Sequence, residues 1–440
     1  MTPFQLGLLS FPTVLLLAAF RVPLAAAMLL VGLVGTFVLN GDARMMDNQL
    51  KTFAYRTFSN YSLSIIPLFL LMSEFATRGG MSAALFKAAE AWIGHRRGGL
   101  AYASIGASAG FGAICGSSLA TASAMGRVAL PELKRAGYSG ALSTGSLAAG
   151  GTLGILIPPS IVLVIYAILA EQNIEKLFTA ALVPALVAIV GYFLTIAIVT
   201  RLSDDWGRRL PRIPLSEKLE SLTAVWPVML IFTVVIGGIY AGFFSPTSAG
   251  AIGAAGTALV AFANHRLSIS TLKEALLGTA RNTGMIFFIV LAAAVFNSFL
   301  SAAQVPQTLA AFFLEGGYSP WTILVGILLL YLVLGTVMDS LAMIFLTVPI
   351  FVPIVTQLDF GIPPEEIGIW FGILVLMAAE VGLITPPVGL NLFVINALAK
   401  DVPLAQTYKG ALPFVVSDIV RIALLATFPA LTLILVRWLY

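Results

Sequence analysis

Cysteine, histidine and charge are all scarce in this sequence. One cysteine, Cys115, among 440 residues rules out an internal disulfide framework and a cysteine-based zinc site. The two histidines, His95 and His265, each stand beside arginines at helix ends (His95-Arg96-Arg97 and His265-Arg266), which fits an interfacial position rather than metal ligation. Charged residues make up 10% of the chain, against roughly 25% in a soluble domain. The net charge of +4 comes from lysines and arginines scattered singly through loops, so it is not a nucleic-acid footprint. No Walker-type phosphate loop is present. No nucleophile, base or metal constellation appears in the apolar segments, which argues against an intramembrane enzyme. Met1-Thr2-Pro3-Phe4 lacks a basic n-region, so the start of the chain reads as a first membrane helix and not a cleaved signal peptide.

Apolar sequence fills the space that charge leaves. Hydrophobic residues account for 59% of the chain and the mean hydropathy is +1.00. A spanning helix needs about 20 apolar residues. Such stretches are expected near 4–20, 22–40, 61–78, 139–170, 177–200, 221–243, 246–264, 284–304, 363–399 and 411–436, five before residue 201 and five after it. Two of them contain Gly154-x-x-x-Pro158-Pro159 and Gly382-x-x-x-Pro386-Pro387, placed 228 residues apart. A Pro-Pro pair removes a backbone donor and clashes with the preceding turn, so 139–170 and 363–399 are expected to be broken helices. Broken backbone at membrane depth survives only against protein or a water-filled cavity. A matched pair of breaks in two halves points to a transporter's binding site.

Two further apolar segments, 98–131 and 320–358, are interrupted by Gly116-Ser117-Ser118-Leu119-Ala120-Thr121 and Gly335-Thr336-Val337-Met338-Asp339-Ser340. Both read as re-entrant helical hairpins. Arg96, Arg97, Lys134 and Arg135 flank the first; Glu315, Asp359, Glu365 and Glu366 flank the second. By the positive-inside rule, the first opens to the cytoplasm and the second to the opposite face. The linker 201–220, with Arg201, Arg208, Arg209, Arg212 and Lys218, is cytoplasmic by the same rule, and both termini are then periplasmic.

Matches recur at an offset between 219 and 230 positions. Arg21-Val22-Pro23-Leu24-Ala25-Ala26 pairs with Phe244-Ser245-Pro246-Thr247-Ser248-Ala249, Gly116 with Gly335, and Ala181-Leu182-Val183-Pro184 with Ala411-Leu412-Pro413. The expectation is an all-α polytopic membrane protein of two inverted repeats, 1–200 and 221–440. Each has five crossings, one broken helix and one hairpin, in an elevator-type ion-transporter architecture. Amphipathic stretches at Asp47–Asn60 and Leu272–Arg281 are expected to lie in the interface plane as bracing arms.

Gly116-Ser-Ser-Leu-Ala-Thr-Ala-Ser-Ala-Met-Gly126 with Pro131, Gly151-Thr-Leu-Gly-Ile-Leu-Ile-Pro-Pro-Ser160 and Glu380-Val-Gly-Leu-Ile-Thr-Pro-Pro-Val-Gly-Leu-Asn391 resemble the DctM-like large membrane subunit of TRAP (tripartite ATP-independent periplasmic) transporters. The resemblance covers essentially the whole chain. It implies a sodium-coupled elevator transporter of the bacterial inner membrane, importing an organic acid such as a C4-dicarboxylate, sialic acid or keto acid. It also implies two partners, a small four-helix membrane subunit and a periplasmic substrate-binding protein. Because the chain starts directly with its own first helix, the small subunit is expected to be separate. Two or more sodium ions and no organic cofactor are implied. A stand-alone sodium/anion symporter would share the architecture.

Sodium is a hard cation that takes oxygen ligands, and unwound backbone supplies them. One sodium site is expected from Ser117, Ser118 and Thr121 with Gly151, Thr152, Gly154 and Pro158. The other is expected from Gly335, Asp339 and Ser340 with Gly382, Thr385 and Pro386. The glycines would let the backbone unwind towards the ion, although Ser, Thr and Asp at such places also serve as helix caps. The substrate carboxylate is expected between the two tips. Ser117, Ser118, Thr121 and Asn391, with the free N–H groups of the helices restarting at Pro159 and Pro387, would contact it. Asn391 is equally suited to an interhelical hydrogen bond. Glu380 is expected to hold the second break by accepting backbone N–H bonds. Glu74/Arg78 and Asp418/Arg421 read as ion pairs, the latter structural or facing the partner subunit.

Overall fold

The computed structural model describes residues 1–203 and 206–440 and is helical throughout, with no strand among the described residues. The first half contains α1 (Pro3–Ala19), α2 (Leu24–Asn40), α3 (Ala43–Phe58), α4 (Ile65–Arg78), α5 (Met81–Ile93), α6 (Gly99–Cys115), α7 (Ser118–Arg135), α8 (Gly140–Leu156), α9 (Ile161–Leu169) and α10 (Ile174–Leu202). The second contains α11 (Leu215–Thr223), α12 (Trp226–Tyr240), α13 (Pro246–Ala263), α14 (Ile269–Ala302), α15 (Val305–Glu315), α16 (Pro320–Gly335), α17 (Ser340–Val355), α18 (Pro364–Leu383), α19 (Leu390–Leu398), α20 (Leu404–Thr427) and α21 (Pro429–Leu439). Asp204 and Asp205, within the linker, lie outside the described residues.

Five helices (α10, α13, α14, α18 and α20) are long and apolar enough to cross a bilayer. Two bent pairs, α8/α9 at 46° and α11/α12 at 50°, add two more candidate spans. Shorter apolar helices of 10–17 residues include α1, α2, α6, α16, α17 and α21. On α10 the side chains of Leu186, Val190, Leu194 and Ile198, four apart, are all exposed. An apolar stripe on the outside of a helix is a lipid-facing surface. The protein is therefore a polytopic membrane protein.

Helix boundaries depart from the sequence reading in three places. The arm expected at Leu272–Arg281 is not separate. It runs without a break into the following span as α14, 34 residues long. At 1.5 Å per residue that is about 51 Å, far longer than the hydrocarbon core. The other arm is a helix of its own, α3. The stretch 411–436 is split after Thr427, because Pro429 cannot extend α20 and instead opens α21. The linker is partly helical too: α11 packs against α5.

The breaks are where the Pro-Pro pairs are. Both Pro158–Pro159 and Pro386–Pro387 peptides are cis. Ser160 caps α9 by accepting from the Leu163 N–H at 3.3 Å. The restarted helices cross between halves: α9 packs against α17 and α18, and α19 against α7 and α8. Helix α18 is buried along nearly its whole length, so the crossing forms the centre of the molecule. Lys134 on α7 reaches Asp401, in the α19–α20 turn, at 2.7 Å, a second tie between the halves.

Candidate substrate and ion site

The first tip is shaped by glycine and serine. Helix α6 stops at Cys115 because Gly116 takes φ +63°, a left-handed cap that returns its N–H to the Gly112 carbonyl at 2.9 Å. Ser117 is extended and caps α7. Helix α8 then presses onto this tip through glycines. A Cβ on Gly154 would lie 2.4 Å from Thr121 Oγ1 and 2.8 Å from the Ser117 carbonyl oxygen. A Cβ on Gly151 would lie 3.0 Å from Asn391 Nδ2 and 3.2 Å from the Ser118 carbonyl oxygen. These glycines are required by close approach, and they bring four oxygen-bearing groups (Thr121, Asn391 and the carbonyls of Ser117 and Ser118) onto one face of α8. Asn391 Nδ2 donates to the Ala148 carbonyl at 3.3 Å. Its Oδ1 is buried without a partner among the described residues. Thr121 Oγ1 is also buried without a hydrogen-bond partner among the described residues.

The second tip has the same backbone plan and different chemistry. A Cβ on Gly382 would lie 2.5 Å from the Gly335 carbonyl carbon, matching Gly112 of α6, whose Cβ would lie 2.6 Å from Gly154 Cα. Gly335 thus takes the packing place of Gly112, while Gly116 is a cap; Gly335 itself lies within α16. The sequence pairing of Gly116 with Gly335 is therefore shifted by one helical turn. Asp339 caps α17, its Oδ2 accepting from the Leu341 N–H at 3.1 Å. Ser340 Oγ donates to Glu380 Oε1 at 3.0 Å. Glu380 is 1% exposed and its other oxygen has no partner among the described residues. It braces the hairpin through the Ser340 hydroxyl, and no backbone N–H bond to it is seen among the described residues. The Gly389 N–H donates to the Thr336 carbonyl at 3.1 Å, tying the second break to the hairpin tip. Thr385, just past the end of α18, turns its hydroxyl back onto that helix, donating to the Val381 carbonyl at 2.6 Å.

The two tips meet across a cavity of about 440 Å³. Gly116, Ser117 and Ser118 line one side, and Asp339, Leu341 and Ala342 another. Ile155 and Ile161, on either side of the first break, and Leu70 of α4 complete it with Asn282, Met285 and Ile289 of α14. The cavity therefore has one wall of tips and broken helix and one wall of α4 and α14. Asn282 is a lining residue that sequence reading missed. It is the polar residue at the point where the amphipathic pattern of α14 becomes apolar.

Several expected contacts are placed elsewhere. Thr121, Gly151, Gly154 and Asn391 sit behind the cavity, along α8. Asn391 is there because α19 crosses onto the first half. Pro158 and Pro159 are buried, whereas Pro386 and Pro387 are exposed, and none of the four lines the cavity. Tyr408 donates to the Pro387 carbonyl at 2.5 Å, so that loop is held from α20. Thr152 turns away from the first tip. Its hydroxyl lies 2.8 Å from Tyr192 Oη, which donates to Asp418 Oδ2 at 2.7 Å. Asp418 Oδ1 lies 3.0 Å from Arg421 Nη2, and both side chains are buried, so this pair does not face a partner subunit. Arg78 pairs with Glu74 at 3.1 Å and also with Glu274 of α14 at 2.5 Å, so it is more than a pair within one helix.

Comparison with known proteins was made against this geometry. Residues 11–431 match the family described as "Tripartite ATP-independent periplasmic transporter, DctM component". The chain is 40% identical over 387 residues to the C4-dicarboxylate TRAP transporter large permease protein DctM of Pseudomonas aeruginosa, covering 88% of each protein. It is 31% identical over 377 residues to the sialic acid TRAP transporter large permease protein SiaM of Vibrio cholerae, covering 86% of each. Among solved structures, the crystal structure of the Alcanivorax borkumensis YdaH transporter superposes with a TM-score of 0.60 over 88% of this chain and 89% of that one, at 16% identity, a likeness of fold alone. The relatives are transporter permeases and not enzymes, and this chain belongs to the DctM component family of the tripartite ATP-independent periplasmic transporters.

Proposed function

We propose that this chain is the membrane permease of a sodium-coupled importer of an organic acid anion. A small membrane subunit and a periplasmic binding protein would complete the system and deliver the cargo. The observation that carries the reading is the 440 Å³ cavity into which both hairpin tips project. Serine hydroxyls and capped backbone on one tip suit a carboxylate. Asp339 on the other tip is the difficulty for an anionic cargo, since a half-buried carboxylate lining the cavity repels it and is itself costly at membrane depth. Sodium at the second tip resolves both problems, because the ion offsets the Asp339 charge only when it is present. Cargo and ion then enter together, which is what coupling requires. The first sodium would lie where Thr121, Asn391 and the Ser117 and Ser118 carbonyls converge, with Gly151 and Gly154 admitting the approach; Thr152 orients α8 from behind.

The two walls of the cavity support an elevator. Tips and broken helices form one packed body, α4 and α14 form another, and the site moves if the first slides against the second. In this reading residues 1–200 and 221–440 are inverted repeats, with both termini periplasmic. The Pseudomonas relative is named for C4-dicarboxylates, so succinate is the first cargo to test. Uptake is measured in proteoliposomes holding this chain, its small subunit and a liganded binding protein. Succinate uptake driven by an inward sodium gradient is expected. Equal uptake in potassium-only buffer would refute sodium coupling, and equal uptake without a binding protein would favour a stand-alone symporter.

A further inference from the structure

A second cavity, of about 790 Å³, gathers Arg96, Arg97, Arg201 and Arg209, with no acidic residue among its described lining. The four guanidinium-bearing residues come from three parts of the chain: the α5–α6 turn, the end of α10 and the linker. Hydrogen bonds hold the linker here. The Leu210 N–H donates to the Gly94 carbonyl at 3.2 Å. Tyr138 donates to the Arg208 carbonyl at 2.7 Å while accepting from the Leu100 N–H at 3.1 Å. Arg209 is therefore placed beside the other three by a fixed backbone. Arg96, Arg201 and Arg209 are like charges brought together, an arrangement that an anion stabilises, and guanidinium groups match phosphate geometry better than any other side chain.

The rest of the cavity is amphipathic. Trp92 and Tyr102 stand at its polar end. Trp92 donates from its indole nitrogen to the Lys218 carbonyl at 3.3 Å, and Tyr102 packs edge-on against Phe193 with centroids 5.2 Å apart. Below the arginines the wall is Val190, Phe193, Leu194 and Ala197 of α10. This wall continues along the exposed stripe from Leu186 to Ile198, a run of about 18 Å by helical rise, comparable to one leaflet of a hydrocarbon core of about 30 Å. Aromatic residues at the headgroup level and an apolar track beneath a cluster of positive charge describe a lipid, not a soluble anion.

We infer that this cavity is a binding site for an anionic phospholipid, its phosphate held by Arg96, Arg201 and Arg209 and one acyl chain lying along α10. The leaflet is cytoplasmic on the charge-based orientation proposed above; the binding itself does not depend on transport or on sodium.

Native mass spectrometry of the full-length chain in mild detergent tests this, with phosphatidylglycerol and phosphatidylcholine of identical acyl chains as probes. Each basic residue near a phosphate contributes roughly fivefold to anionic-lipid affinity, so three contribute on the order of a hundredfold. Wild type should retain phosphatidylglycerol over phosphatidylcholine by about that factor. The R96Q/R201Q/R209Q variant should lose the preference at unchanged elution volume, and a triple lysine variant should keep most of it. If the triple glutamine variant does not fold, R201Q alone should lower phosphatidylglycerol affinity roughly fivefold. Equal retention of the two lipids by wild type would overturn the proposal. So would an undiminished preference in a folded glutamine variant. Displacement of the lipid by millimolar inorganic phosphate would instead identify a site for a free anion and overturn the lipid assignment.

Discussion

Removing the Asp418 carboxylate should destabilise the protein far more than removing Asp418 and Arg421 together. Arg421 is 4% exposed, and two of its three nitrogens have no partner among the described residues. Its remaining contacts are Asp418 Oδ1 at 3.0 Å and the Tyr192 ring, whose centroid lies 5.8 Å from the guanidinium. Asp418→Leu leaves a buried guanidinium without its direct ion-pair partner, a loss of about 3–5 kcal/mol at most, because the buried Glu380 carboxylate stays within electrostatic reach of Arg421. It also deprives Tyr192 Oη of its acceptor, about 1–3 kcal/mol for a buried donor, reduced here because Thr152 remains 2.8 Å away. Asp418→Leu with Arg421→Met removes both charges and fills the site with apolar side chains, a change that is often neutral when a buried pair is replaced whole. The assay is an unfolding titration in mild detergent on wild type, Asp418→Leu, Arg421→Met and the double variant, read as a double-mutant cycle. A coupling of about 2 kcal/mol or more is expected from the buried geometry. The reasoning fails if each single variant costs under about 1 kcal/mol, the value for a solvated surface pair, or if the two losses simply add.

Asp339→Asn keeps the capping oxygen and removes the charge. It should fold normally and raise the sodium concentration for half-maximal uptake roughly tenfold, the equivalent of one charged contact of about 1.5 kcal/mol; an unchanged sodium dependence would leave Asp339 as a cap only. Gly154→Ala places a methyl group 2.4 Å from Thr121 Oγ1, so the tip must move. A stability loss of about 1–3 kcal/mol should accompany strongly reduced uptake, and full uptake would show that the cluster along α8 is not used. Oxidation of a Met285→Cys/Leu341→Cys pair, which joins the two walls of the cavity, should block uptake until reduced. Undiminished uptake by the fully cross-linked protein would rule out sliding.

The parts of this structure that were legible in sequence are those set by local backbone chemistry. Pro158-Pro159 and Pro386-Pro387 stop helices wherever they occur, and Ser117, Ser160 and Asp339 cap the next ones, so tips and breaks could be placed without any tertiary information. The break after Thr427 was missed although Pro429 signals it, because it lies inside an apolar run long enough to mask it. The continuity of α14 was not legible, because a change from amphipathic to wholly apolar periodicity marks a change of environment and not a change of backbone. Asn391 was visible as a polar residue one turn into a restart. Its contact with Ala148 was not, because it depends on α19 crossing to the other half, a packing that no spacing encodes.

The least legible part is the wiring of the two halves to their sites. Thr152 and Glu380 are 228 positions apart, the same separation as Gly154 from Gly382 and Pro158 from Pro386. They therefore occupy matching places two residues before the packing glycine. One carries a hydroxyl and is linked outward to Tyr192 and the Asp418–Arg421 pair. The other carries a carboxylate and is linked inward to Ser340 on the hairpin tip. A shared backbone frame thus supports two unlike electrostatic environments: hydroxyls and carbonyls at the first tip, two carboxylates with Asp339 at the second. Glycine and proline fix the frame because they act on the chain itself. The charge at each tip is decided by side chains at positions the frame leaves free, so two matching motifs do not make two equivalent electrostatic environments. On the sodium coupling proposed above, the second tip, which has carboxylates, should be the more sensitive of the two to removal of charge.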